Sequence, residues 1–333
     1  MKSTSKILFS AIALSLIIFV SCQPTKQALI VSYNVENLFD TISNSGNDKD
    51  FIPEGPKKYD TEKYYTKLEN LAKVLSTIDE KQLPDIIGLT EIENRQVVKD
   101  LTEQKTLSKG NYHICHFDSP DPRGIDVALI HTPNFKLIKE QIVPVYTDEN
   151  KRYRTRDILY VKGILQKDTL HLFVNHWKSR SGGAEKTEPR RISSALTLRN
   201  VTDSLLSINK NTKIIIMGDF NDNPNNTSLH SALGAGKPDT DSALINIMFP
   251  LFDKGLGTHN YRDEWSMLDN FVVSQSIIKG KGLRAVGNGI IFSPEWICYK
   301  TNKGVLAPAR SYGGQRYFGG YSDHFPIYFY LKK

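Results

Sequence analysis

The sequence predicts an α/β fold in which two packed sheets of mixed strand direction are covered by helices. Three observations predict it. Helical and strand patterns alternate along the chain, the middle is rich in hairpins, and the run KIIIM at 213–217 has the character of a strand covered on both faces.

Taken in order, ALIVSY at 28–33 reads as a strand, and the Gly, Pro, Asn and Asp of 44–58 as a loop. Thr61 is placed to cap a helix carrying Tyr64, Leu68, Leu71 and Leu75 at helical spacing. After Pro84, 85–89 reads as a buried strand, followed by a helix over 96–107. Strands are predicted at 111–117, 125–131 and 135–145. Residues 157–165 and 169–176 read as a hairpin turning at Lys167-Asp168. A helix over 188–206 places Leu198, Val201 and Leu205 on one face. Strands at 213–217, 268–274 and 325–331 complete the pattern, with no internal repeat and no long low-complexity linker.

Composition agrees with a globular chain. Of 333 residues, 39% are apolar and 24% charged, which excludes a disordered or collagen-like protein. The chain is long enough to bury a core without staples, and Cys22, Cys115 and Cys298 are too few for a disulfide scaffold. Cys115 and Cys298 fit either a pair or two buried thiols.

The N-terminus reads as a targeting segment. Lys2 and Lys6 precede an apolar stretch from Ile7 to Val20, broken only by Ser10 and Ser15 and closed by Ser21-Cys22. The stretch is short of the about 20 apolar residues of a membrane span. A cysteine after a small residue resembles a bacterial lipoprotein signal, although Phe19 stands where Leu is usual. This predicts a signal peptide over 1–21, lipidation of Cys22, a tether over 22–27 and an exported, membrane-anchored protein of the cell envelope. It is secreted if an ordinary signal is cleaved instead. Removing 1–21 takes two lysines and no acid from the formal +7, leaving +5, a mild excess.

The chemistry lies in short segments that follow apolar strands. They are 33–37 (YNVEN), 89–93 (LTEIE), 174–177 (VNHW), 218–222 (GDFND), 268–270 (LDN) and 322–326 (SDHFP). Strand ends in a layered fold gather at one edge, where their loops converge. Carboxylates and an amide suit a hard cation such as Mg²⁺, and no closely spaced Cys/His set points to zinc. With extended backbone, Asp219 and Asn221 point the same way, while Asp323 and His324 point to opposite sides. Asp269 is placed to hold the His324 ring and favour its charge. Singly, each residue has a plain reading: Glu91 a solvated loop acid, Asn34 a turn former, His176 a structural histidine, Asp219 and Asn221 an Asx turn. Their joint, ordered occurrence outweighs those readings.

Together these segments resemble the endonuclease/exonuclease/phosphatase family, the fold group of DNase I and exonuclease III. The resemblance runs from Asn34 to His324. It implies a four-layer α/β sandwich forming one domain over 28–333, and Mg²⁺-dependent hydrolysis of a phosphate ester, with Mn²⁺ or Ca²⁺ as alternatives. It also implies that Glu91 binds the metal beside Asn34, with Asp323 on the metal side. Asp219 would position or deprotonate water, and Asn221 would hold a phosphoryl oxygen. His324, partnered by Asp269, would contact the phosphate, and His176 matches a second catalytic histidine.

For substrate, Lys178, Arg180, Arg190 and Arg191 form one basic group, and Lys151, Arg152, Arg154 and Arg156 another. They fit a groove for a polyanion, with Arg154, Arg156, Lys178 and Arg180 as phosphate contacts, or equally a solvated face. Trp296, Tyr299, Tyr312, Tyr317, Phe318 and Tyr321 fit base stacking or the closing of a core. The Trp-Cys-Asp-Arg segment of inositol polyphosphate 5-phosphatases is absent. A nuclease acting on DNA or RNA is therefore the leading expectation. A phosphatase or phosphodiesterase for a lipid head group or small ester is second, and a non-catalytic surface lipoprotein is an alternative of another class. The partners expected are nucleic acid and, through the lipid, a membrane; no segment points to an obligate protein partner, and a monomer is expected.

Overall fold

Strand-forming residues at 28–38 open the fold, which a computed structural model describes over residues 27–43, 48–147 and 153–333. The signal segment 1–21, Cys22 with most of the tether, and Lys151 and Arg152 lie outside the described residues. In chain order the first half carries β1 (Ala28–Leu38), α1 (Thr61–Thr77), β2 (Ile86–Ile92), α2 (Arg95–Thr102), β3 (His113–His116), β4 (Asp126–His131), β5 (Phe135–Val143), β6 (Ile158–Leu165), β7 (Asp168–His176) and α3 (Ala184–Ile208). Next come β8 (Lys213–Asp219), β9 (Ala235–Gly236), β10 (Leu244–Asn246), α4 (Phe249–Phe252), β11 (His259–Tyr261), β12 (Glu264–Ser266), β13 (Asp269–Ser274), α5 (Gln275–Lys279) and β14 (Arg284–Ile291). The last are β15 (Cys298–Lys300), β16 (Leu306–Pro308), β17 (Tyr312–Gly313), β18 (Arg316–Tyr317) and β19 (Ile327–Lys332).

One sheet has the order β14-β19-β1-β2-β4-β3, the other β5-β6-β7-β8-β13-β10-β9. Both are mixed. β1 and β2 run parallel with α1 crossing between them, and β7 and β8 repeat the arrangement with α3. Alternation along the strands sorts their side chains into layers. Ile30, Ile86, Val174, Met217, Phe271 and Phe329 fill the space between the sheets. Leu29, Val31 and Leu89 turn outward onto Leu68, Leu71 and Leu75 of α1 and Val97 and Leu101 of α2. On the far side, Phe173, Ile214 and Ile216 pack against Ala195 and Leu198 of α3, with Val201 and Leu205 alongside. The result is helix, sheet, sheet, helix, the four-layer arrangement that the resemblance implied.

Local chemistry moves several predicted boundaries. The cap of α1 is Asp60, not Thr61, because the Asp60 carboxylate accepts the Lys63 N–H. α2 stops at Thr102 rather than 107. Beyond it Gln104 and Leu107 N–H groups bond back to the Leu101 and Gln104 carbonyls, and these turns carry Leu107 into the core. The β6–β7 turn falls on Gln166-Lys167, both at positive φ as a two-residue hairpin requires, while Asp168 already pairs with Leu165. The sequence pattern also hid β14, an edge strand interrupted by two glycines and largely exposed. Cys115 and Cys298 are both free thiols. Among the described residues no helix is long and apolar enough to cross a membrane.

Candidate active site

The two parallel strand pairs end at the same edge, and their last residues meet there. Asn34 lies opposite Thr90 at the end of β1 and β2, and His176 lies opposite Asp219 at the end of β7 and β8. Backbone irregularities aim the side chains. The β1–β2 register shifts between Asn34 and Leu38, and Glu36, Asn37, Glu91 and Asn221 all hold positive φ of 51–64°. Gly218 lets β8 approach β7 just before Asp219, since a Cβ there would stand 1.9 Å from the Asn175 carbonyl oxygen. The loops enclose a cleft of about 610 Å³, lined among others by Glu91, His176, Asp219, Asn221, Asp323 and His324.

Asp219 is the hub. Asn34 Nδ2 donates to its Oδ2 at 3.0 Å, and the Asn221 N–H donates to its Oδ1 at 2.8 Å. The same Oδ2 lies 3.6 Å from His176 Nε2 and 3.9 Å from His324 Nε2. Burial pushes the Asp219 carboxyl up to about 7; Asp269 and Glu91 add to the push, while His324 opposes it. Asn221 reaches Asp219 through a left-handed turn, not the extended backbone expected, and its Nδ2 also donates to the Trp177 carbonyl at 3.1 Å.

The two histidines are driven to opposite charge states. For His324, burial works against the proton. Asp269, whose Oδ2 lies 2.7 Å from Nδ1, together with Asp219 and Asp323, outweighs burial and raises the pKa well above the usual histidine range. For His176, burial comes first and the nearby Arg156, Arg123, His324 and Lys178 charges follow, all lowering the pKa well below the usual value. At neutral pH the site therefore holds one imidazolium and one neutral imidazole.

Glu91 accepts the Asn37 N–H at 3.0 Å and lies 3.7 Å from His176 Nε2. Asp323 and His324 do not point apart as extended backbone would have them. They converge with His259, their ligand atoms all within 4.8 Å. Burial raises the Asp323 pKa, but the opposing pull of His324, His259, Arg310 and Lys67 is stronger and the net shift is down. His259 is pushed down to about 4 by burial and by the His324 charge.

The basic residues divide. Arg156 is buried with Nε 2.9 Å from Asp121, close enough for its charge to act on His176. Lys178 sits half-buried beside Arg156 and Arg190, its pKa lowered by burial and by both. Arg180 lines the cleft, but its donors go to the Asn221 carbonyl at 2.7 Å, to Asp222 and to Asn226. Arg154 is not brought to the cleft; it grips Asp157 through two hydrogen bonds. Arg191 is not on the surface, lying 1% exposed with Nε 2.6 Å from Asp222.

The sequence reading missed Arg123 and His259. Arg123 lies in the cleft with its guanidinium 3.4 Å from Glu91 and 2.6 Å from Asn37 Oδ1. A signal existed. The turn before a strand lies at the same edge as the end of its antiparallel partner, and Arg123 stands in the turn before β4, where Asp126 pairs with Ile92 at the end of β2.

The donors at this edge fit a hard divalent cation. Carboxylate oxygens of Glu91 and Asp219 face the same cleft, and the Asp219 carboxylate, whose pKa is raised first by burial and then by Asp269 and Glu91, is a charge that a cation would stabilise. Two close triads of ligand atoms, Asp219–Asp269–His324 and His259–Asp323–His324, share His324, whose Nδ1 is already committed to Asp269. The Glu91 side is therefore the better place for a metal.

A family model for the endonuclease/exonuclease/phosphatase family matches residues 29–333, nearly the whole described chain. The chain belongs to that family. Membership places it among phosphoester hydrolases. No curated protein matches. Among solved structures, Caenorhabditis elegans TDP2 superposes with a TM-score of 0.56 at 14% identity, covering 92% of this chain and 98% of that one. A Bacteroides thetaiotaomicron mannosyl-6-phosphatase gives 0.56 at 17%, covering 92% and 100%. The human Nocturnin catalytic domain gives 0.55 at 17%, covering 92% and 94%. At these identities the likeness shows the fold of this family member.

Proposed function

We propose that this phosphoesterase is a metal-dependent nuclease that cleaves a phosphodiester of DNA or RNA by in-line attack of water. The observation carrying the proposal is that one carboxylate oxygen, Asp219 Oδ2, lies within 4 Å of both His176 Nε2 and His324 Nε2, whose surroundings lower the pKa of the first and raise that of the second. Asp219 orients the attacking water and accepts its proton. His324, held by Asp269, donates to a phosphoryl oxygen as negative charge develops there. Asn34 holds Asp219 in place, and the Asn221 amide, which donates to the Trp177 carbonyl and to Asp219, would give up one of these bonds to donate to a second phosphoryl oxygen. His176 lies between Glu91 and Asp219 as a neutral relay. Glu91, with Asn34 beside it and Asp323 across the cleft, would hold Mg²⁺, which would supply Lewis-acid stabilisation of the phosphoryl and leaving oxygens.

A second reading has one observation in its favour. Arg154, Arg156, Arg180 and Arg191 are tied to carboxylates, which leaves less free positive charge for a long polyanion. Under it the substrate is a small phosphate ester or lipid head group. Plasmid nicking with and without Mg²⁺, comparing wild type with Asp219→Ala and His324→Ala, decides. Each variant should lose ~10²–10³ in rate while remaining folded. Undiminished wild-type nicking in chelator would refute the mechanism, and inert DNA and RNA beside cleaved small esters would select the second reading. The proposal includes lipid attachment at Cys22. Cys22→Ala should move the protein from the membrane fraction to the soluble fraction; unchanged membrane recovery would exclude the lipid anchor.

A further inference from the structure

Beside the cleft runs an open groove of about 520 Å³ that the proposed reaction does not use. Tyr261, Arg262, Tyr299, Arg310 and Phe318 line it. Its three rings are 43–59% exposed, an unusual concentration of large aromatic surface in water. The groove joins the reaction centre. Tyr261 borders both, at the end of β11, whose first residue His259 forms a backbone bridge to His324. The charge of Arg310 reaches His259 and Asp323.

The walls are built rather than incidental. A tight turn at Arg262-Asp263, both at positive φ, sets Tyr261 at the rim with the Arg262 guanidinium 5.2 Å from its ring centre. Phe318 lies on Gly313, where a Cβ would stand 2.6 Å from the ring, and the Phe318 N–H holds the Ser311 carbonyl at 2.8 Å. Among the described residues neither Arg262 nor Arg310 has a carboxylate within ion-pair distance, unlike Arg154, Arg156, Arg180 and Arg191. Flat exposed rings next to two unpaired guanidinium groups match a planar ring carrying a nearby phosphate.

We infer that this groove binds the nucleobase of the nucleotide unit next to the scissile phosphate, with Arg310 taking the adjoining phosphate. The inference rests on the phosphoesterase reading of the neighbouring cleft and names what that cleft discriminates. A sugar phosphate would lie against the same rings through its C–H faces but would gain nothing from a base.

Fluorescence anisotropy in chelator, which stops turnover, tests it with a short labelled single-stranded oligonucleotide and the same strand made abasic. The base-bearing strand should bind at least about tenfold more tightly. Phe318→Ala and Tyr299→Ala should each abolish most of that preference at unchanged melting temperature. Arg310→Gln should weaken both strands equally and flatten the salt dependence. Equal binding of the two strands by wild type, retention of the preference in both aromatic variants, or displacement by mannose 6-phosphate but not by a mononucleotide would overturn the inference. Hydrolysis assayed separately in Mg²⁺ distinguishes the two levels. Cleavage of both strands without base preference sinks the groove alone, whereas base-dependent binding with no phosphoester hydrolysed sinks the reaction alone.

Discussion

Asp269 Oδ2 lies 2.7 Å from His324 Nδ1, and both groups are buried. The contact orients the ring and, with Asp219 and Asp323, keeps its proton against the cost of burial.

Replacing Asp269 with Asn keeps the shape and removes the charge. We expect a rate loss of ~10² or more. The sign of the pH effect is fixed by the raised His324 pKa. The imidazolium is fully present below that pKa and is lost as pH rises through it, so Asp269→Asn should shift the alkaline limb of kcat/KM to lower pH. An alkaline limb that stays in place would show that His324 does not act as the cation.

For stability, Asp219 follows the same sign. Its pKa rises from the usual 3.8 to about 7 on folding, so the folded state binds the proton more tightly and stability falls as pH rises through that interval. Asp219→Asn should therefore melt a few degrees higher than wild type at pH 8 in chelator. Mg²⁺ should raise the wild-type melting temperature and leave Glu91→Ala unmoved. Calorimetry at pH 5 and 8, with and without Mg²⁺, checks both; a variant no more stable than wild type at pH 8 would contradict the burial account.

Gly218→Ala should be costly. The new Cβ would collide with the Asn175 carbonyl at φ 133°, so we expect a loss of at least ~2 kcal/mol by urea unfolding. Activity should fall further, because the displaced backbone carries Asp219. Wild-type stability would mean that β7 and β8 separate freely.

Arg191→Met leaves the buried Asp222 carboxylate without its closest cation, 2.6 Å away. Breaking such a pair commonly costs ~3–5 kcal/mol. Arg180 and Ser228 still bond Asp222, which places this case near the lower figure. Denaturant melts of Arg191→Met and of Arg191→Met/Asp222→Asn should show partial recovery in the double variant; no recovery would locate the loss in packing instead.

Sequence reached the edge where the site forms more securely than the contacts within it. Asn34, Glu91, His176 and Asp219 each terminate or follow an apolar run, so the strand pattern alone gathers them. Asn221 departs from the extended reading: it holds φ 51°, a region Asn enters more readily than most residues, and its N–H closes the Asx turn on Asp219 Oδ1. Arg191 read as a surface base because its partner Asp222 lies 31 residues away, and pairing at that distance depends on how α3 returns to β8. Arg123 was passed over because it stands in a turn, without the apolar run that marks the others.

Asn34 and Glu91 belong to one sheet, while His176 and Asp219 belong to the other. The proposed reaction centre thus straddles a seam, and its alignment is only as good as the registry of two layers that share no strand. Loosening that seam, for example by trimming Met217, would silence turnover at temperatures where each layer still keeps its own hydrogen-bonded strands. Catalysis in this molecule doubles as a gauge of interlayer fit.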